Sequence, residues 1–239
     1  MRVQDLLVER MPRIAQCREV EQIAVDESGH RKTHGFARRR QAFGKLLVDQ
    51  PLMRSVLADL ALESEAATVL AMHLAQAYEM ADHDPLARAW QRVLTPAAKF
   101  WLCKRSVAFT GECMEVLGGN GYIEDSIVGR LFREAPVNSI WEGSGNVMAL
   151  DVMRAVARST DDAFTLLRDL QEAAAGDAHL KQAAAAIERN WRAMATAPDA
   201  SEALARWTTT QLVLLAQASL LRRHSPAAVA DAFLATRLA

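Results

Sequence analysis

From Pro51 onward the apolar positions Met53, Val56, Leu57, Leu60, Leu70, Leu74 and Tyr78 recur at three- and four-residue steps, with Asp59, Glu63 and Glu79 between them. That period lays one apolar stripe along a single long amphipathic helix. Asp82, His83, Asp84 and Pro85 make a polar turn, and a second helical pattern runs from Leu86 to Leu117, where Gly118 and Gly119 stop it. Pro96 inside this pattern predicts either a kink or a fresh helix capped by Thr95 with Pro96 at its first position. Two apolar stripes joined by a short turn predict an antiparallel bundle over 51–158, with helix 51–80 lying along 86–117.

Downstream, glycine-rich turns alternate with short helical pieces as far as Asn146, after which Val147, Leu150, Asp151 and Met153 resume helical spacing. Alanine-rich helices follow at 160–175, 178–195, 200–223 and 226–238, divided by Gly176, Pro198 and Pro226. Because β-branched alternation is almost absent, the fold class expected is all-α. The first 36 residues differ: Pro12, Gly29 and Gly35 interrupt any period and no apolar face emerges, so a loosely attached tail or a poor helix is expected. The chain thus divides into 1–36, a helical bundle over 37–158, and an additional helical region over 159–239.

Composition narrows the function classes. With 239 residues, 51% of them hydrophobic and 24% charged, the chain can bury a substantial core and is not disordered. Its net charge of −1 provides no global field for nucleic acid or an anionic membrane. Cys17, Cys103 and Cys113 are odd in number and lack CxxC spacing, and charged residues interrupt every early apolar run, so a reducing cytoplasm without a cleaved signal is the expectation. No apolar run approaches the ~18 residues of a membrane span. His30 and His34 are the one close-spaced histidine pair, and no carboxylate–histidine set accompanies them, so no metal site is expected.

Four stretches carry the candidate chemistry: RRRQAFGK at 38–45, LGGNGY at 117–122, RLFREAPV at 130–137 and IWEGSGN at 140–146. Taken in order, they resemble the C-terminal helical domain of acyl-CoA dehydrogenases, and the wording TPAAKFWLCKR, EVLGGNGY and REAPVNSIWEGSGN is similar to the AidB-like, alkylation-response branch. The resemblance extends over residues 37–239 and is firmest up to Arg158. It implies an FAD enzyme of three domains that removes two hydrogens from an acyl-CoA thioester, a carboxylate taking the α-proton while the β-hydrogen leaves as hydride. It also implies a homodimer or homotetramer, and an electron-transfer flavoprotein or oxygen as electron acceptor. The N-terminal helical domain and the β-domain of that family are not recognisable here, so the chain alone is expected to keep the motif yet lack turnover.

By the same resemblance Glu142 takes the place of the catalytic base. It follows Ile140 and Trp141 and precedes Gly143, a setting that offers a carboxylate on a tight turn beside apolar surface. The plainer alternative is a surface carboxylate near a helix N-terminus. The resemblance assigns cofactor contacts to Arg40 and Phe43, whose counterparts reach FAD of a neighbouring subunit, and to Gly118 and Gly119 through their amides. Ser144 and Asn146 stand where the family usually has Thr and then Gln or Glu, and supply short polar groups for the flavin or its phosphates. Gln50 is a candidate contact one place ahead of the family's Gln, which is Pro51 here. Arg38 and Arg39 read as a solvated basic turn, while Arg133 with Glu134 suits an internal ion pair as well as a ligand contact.

Two readings from other classes stay open. A DNA-binding alkylation-response protein needs clustered cations, whereas residues 160–239 carry eight Lys or Arg against nine acids. A non-catalytic helical oligomerisation fragment is the second.

Overall fold

A computed structural model describes residues 19–238 of the chain, and their side chains from Ser28 onward. Helix α1 (Glu19–Ala37) leads into a hairpin of β1 (Gln41–Ala42) and β2 (Lys45–Leu46), then α2 (Pro51–Met80) and α3 (Pro85–Ala89). The middle of the chain forms α4 (Thr95–Leu117), α5 (Gly119–Tyr122), α6 (Ile127–Asn138) and α7 (Gly145–Arg158). Five further helices complete it: α8 (Thr160–Ala173), α9 (Ala178–Ala193), α10 (Pro198–Ala203), α11 (Ala205–His224) and α12 (Ala227–Arg237).

The helix limits follow local chemistry. Pro51 opens α2 at a position whose N–H has no helical partner in any case. Asp84 caps α3 by accepting the Leu86 N–H at 2.8 Å, and Asp177 caps α9 by accepting those of His179 and Leu180. Around Pro96 the helical backbone runs on without a fresh start. The backbone widens into a π-helical turn at Trp90–Leu94, and Thr95 lies inside the helix, its hydroxyl donating to the Gln91 carbonyl at 2.6 Å. A wider turn gives the proline ring room where an α-turn would clash.

Helix α1 occupies a segment for which the sequence suggested a tail or a poor helix. From Ser28 onward its inward face carries small residues at four-residue steps: Gly29, Thr33 and Ala37. A Cβ on Gly29 would lie 3.5 Å from the Cys113 sulfur, Thr33 and Ala37 are fully buried, and the Thr33 hydroxyl donates to the Gly29 carbonyl at 2.8 Å. Such a face lets two helices approach closely but has no apolar period to read.

Helix α11 is buried on all sides from Leu212 to Leu221, as expected of a helix apolar all round. It packs on α2, α4, α7, α8, α9 and α12 and takes the central place. Consequently α2 packs more on α1 and α11 than on α4, while α4 packs chiefly on α1 and α6, so the expected pairing of 51–80 with 86–117 is only part of the arrangement. One continuous core joins Leu74, Trp90, Leu102, Val152, Leu166, Ile187, Leu215 and Phe233, crossing residue 158 without a break. A smaller cluster under α1 contains Leu57, Leu60, Phe109, Cys113 and Val128. Among the described residues no helix is long and apolar enough to cross a membrane.

Candidate functional site

The turn between α6 and α7 holds Glu142 in the left-handed region, with φ 54°, followed by Gly143 at φ 121°. A carboxylate-bearing residue in this region is uncommon and costs of order 1–3 kcal/mol, so neighbouring contacts must hold it. Three do. The Lys99 ammonium donates to the Trp141 carbonyl at 2.7 Å. Gly143 lies against the Met148 side chain, where a Cβ would collide. Gly145 is buried on α4, with the end of Lys104 and the ring of Phe100 occupying the space a Cβ would need. The turn is therefore seated on the 99–104 stretch of α4, and Glu142 is exposed at its crest.

Ser144 precedes the first turn of α7, whose leading N–H groups have no partner within the helix and suit an anionic or polar group. The Asn146 side-chain oxygen accepts a 2.9 Å hydrogen bond from Arg206, and the Arg206 guanidinium lies 5.6 Å from the centre of the Phe100 ring. Lys104 approaches the same ring at 6.0 Å. Lys99, Phe100, Lys104 and Arg206 thus surround the turn, and none was singled out from sequence. Arg206 belongs to the additional helices, so that region reaches the site directly. Nothing in its local pattern signals this, since 60 residues separate Arg206 from Asn146.

The hairpin forms a second locus. Phe43 and Gly44 are its two-residue turn, both with positive φ (52° and 79°), the geometry that matches the twist of paired strands. This lifts Phe43 clear of the protein, 98% exposed, beside the exposed Arg40. Gln50 donates one amide N–H to the Ala42 carbonyl at 3.0 Å and so links the hairpin to the start of α2.

Gly118 and Gly119 form a third. Gly118 ends α4 at φ 60°, ψ −143°, and both glycines have open space where a Cβ would stand. At the rise of an α-helix they lie about 20 Å along α4 from Lys104. Arg133, on α6 nearby, pairs with Glu124 at 3.0 Å rather than with Glu134. The residues nominated from sequence therefore occupy three separate places on one chain, and the described residues contain no convergent set of three His, Cys, Asp or Glu side chains able to hold a metal.

Comparison with known proteins identifies the family to which this fold belongs. The family model described as "Acyl-CoA dehydrogenase, C-terminal domain" matches residues 5–157, beginning well ahead of residue 37. The AidB protein of Escherichia coli (strain K12) is 43% identical over 191 residues, which is 80% of this chain and 34% of that protein. Acyl-CoA dehydrogenase family member 11 of Caenorhabditis elegans is 30% identical over 122 residues, 50% of this chain and 20% of that protein. A solved structure of Caenorhabditis elegans ACDH-11 in complex with C11-CoA superposes with a TM-score of 0.78 over 94% of this chain and 42% of its own, at 22% identity, which shows the shared fold. The chain spans about a third of the Escherichia coli relative's length. Its helical fold, the ordered motifs and the family model together place the chain in the acyl-CoA dehydrogenase family, within the C-terminal domain.

Proposed function

We propose that the chain is the C-terminal part of an FAD-dependent acyl-CoA dehydrogenase, catalysing α,β-dehydrogenation of an acyl-CoA thioester with Glu142 as the base. The observation that carries this is the display of Glu142 at positive φ on a turn fixed by Lys99, Gly143 and Gly145. Strain retained at one exposed carboxylate, with contacts from a separate helix to maintain it, fits a group placed for chemistry better than one placed for folding.

The side chains fit the implied cofactor. Arg40 offers a planar fork suited to a pyrophosphate, Phe43 a flat apolar face, Gly118 and Gly119 an unobstructed backbone, and Ser144 with the first turn of α7 polar groups; Asn146 keeps its amide nitrogen for such a contact. Bound FAD would accept the β-hydrogen as hydride. Glu142 takes the α-proton onto its carboxylate, Lys99 keeps the turn in place, and Arg206 orients Asn146. Because the three loci are far apart on one chain, they serve cofactors bound between subunits. The exposed apolar residues Tyr122, Ile123, Val137, Ile140 and Trp141 supply a surface for such a dimer or tetramer.

The test joins this chain to the family's N-terminal helical domain and β-domain, taken from a relative, and follows flavin bleaching by stopped flow after acyl-CoA is added. Glu142→Gln is expected to bind FAD normally and to slow bleaching about a hundredfold or more. Bleaching at the parent rate in Glu142→Gln would remove Glu142 from the role of base.

A further inference from the structure

We propose that the groove between α1 and α2 binds a phosphate-bearing ligand of nucleotide size, a site separate from the hairpin contacts assigned above to FAD. The sequence concentrates positive charge there: from His30 to Arg54 there are seven Lys or Arg residues and one acid, Asp49, in a chain whose net charge is −1. The fold gathers part of that charge around one depression of about 630 Å³, within the size range of small-molecule sites. Arg31 and His34 of α1, Arg38 in the turn just after it and Arg54 of α2 line it, and no carboxylate does.

Two of these arginines can accept a new partner. The Arg38 side chain is exposed, and its guanidinium has no hydrogen-bond or ion-pair partner among the described residues. Arg54 donates to the Val48 carbonyl at 3.1 Å, and its contact with Asp49 is a loose 3.7 Å between two exposed side chains, worth little to the fold. Guanidinium groups on the two sides of a groove can clamp a phosphate between them with paired hydrogen bonds. Leu57 and Ala58 supply apolar surface between them, which suits the flat face of a base or ring. A nucleic-acid strand, by contrast, is tracked by cations spread along an open surface. Arg40 does not line the groove, so this site and the hairpin can be tested apart.

The experiment is calorimetric titration of this chain with ADP, inorganic pyrophosphate and a short DNA duplex, after circular dichroism has confirmed that each variant is folded. Saturable one-to-one binding of ADP is expected, tighter than that of pyrophosphate because of the apolar surface. Arg38→Gln should weaken it about tenfold or more, the loss of a charge-assisted hydrogen bond. Ala58→Glu, which leaves every arginine in place, should weaken it at least as much, and Arg39→Gln should leave it nearly unchanged. Absence of saturable ADP binding would overturn the proposal. So would equal losses from Arg38→Gln and Arg39→Gln, which indicate a diffuse field, or tighter binding of the duplex than of ADP. Loss with Arg40→Gln alone would assign the nucleotide to the hairpin and leave the groove without a role.

Discussion

The Lys99 ammonium and the Trp141 carbonyl, joined at 2.7 Å, tie the middle of the bundle to the residue immediately before Glu142. Glu142 has a backbone conformation that an L-residue leaves readily when released. Replacing Lys99 by Met keeps the aliphatic stem and removes the donor. Hydrogen exchange at the amides of residues 141–145 should then quicken severalfold while global stability changes by less than about 1 kcal/mol, since the bond is solvent-accessible. Unchanged exchange would mean that Gly143 and Gly145 fix the turn without help.

The glycines of LGGNGY should separate by role. Gly118 has φ 60° and ψ −143°, a region open in practice to glycine, so Gly118→Ala should destabilise by about 1–3 kcal/mol. At Gly121 a Cβ would meet the Met114 carbonyl oxygen at 2.5 Å and the Leu117 Cβ at 2.9 Å, forcing backbone movement, so Gly121→Ala should cost about as much or more. Gly119 has open space and an ordinary helical setting, so Gly119→Ala should be neutral within about 0.5 kcal/mol in urea unfolding. A large loss at Gly119 would show packing that the fold does not contain.

These contrasts indicate what the sequence could convey. Periodicity located α2 to its terminal residues because its buried positions are leucines and alanines at helical steps. It missed α1 because a face of Gly29, Thr33 and Ala37 buries little apolar area and works through close approach instead. The order of the motifs located the Glu142 turn, since glycine needs are local. The partners that seat it, Phe100, Lys104 and Arg206, come from other helices, and only the packing of α11 through the centre brings Arg206 to Asn146.

Glu63 should prove the costliest single carboxylate to neutralise. It is buried in α2, accepts two hydrogen bonds from Arg105 at 3.1 and 3.2 Å, and meets Arg237 of the last helix at 3.3 Å. Arg237 also reaches Asp59 at 2.6 Å. Glu63→Gln leaves both guanidinium groups facing an amide and should lower stability by about 2–4 kcal/mol, against less than about 1 kcal/mol for Asp59→Asn, which is half exposed. Denaturant midpoints for the two variants compare them directly, and a smaller loss at Glu63 than at Asp59 would contradict the assignment.

His73 should make the protein sensitive to mild acid. Burial in the core pushes its pKa down from 6.5 to about 4, the Arg223 charge adds to this, and Asp169 opposes it. The ring stands edge-on to Trp90 at 4.3 Å, while the Trp90 indole donates to Asp169 and Arg223 pairs with the same carboxylate. Between pH 6.5 and about 4 the unfolded chain therefore takes up a proton at this position that the folded chain refuses. The contribution to stability is complete above pH 6.5 and falls as the pH drops through that window, by about 3 kcal/mol across its whole width. Two carboxylates also lose stabilisation in acid, but lower down. Burial raises the pKa of Asp162, yet the Ser159 hydroxyl and Arg88 outweigh it and leave it below 3.8; Arg192 holds Glu188 below 4.5 despite partial burial. Measurements at pH 7 and pH 5 therefore lie above the range in which those carboxylates dominate. Urea unfolding of the parent and of His73→Leu at these two values should show a smaller acid-induced loss in the variant, which has no proton to refuse. Any difference between leucine and imidazole in filling this space shifts stability equally at both pH values and cancels in the difference. Equal losses in the two proteins would show that His73 is protonated in the folded state as readily as in the unfolded chain.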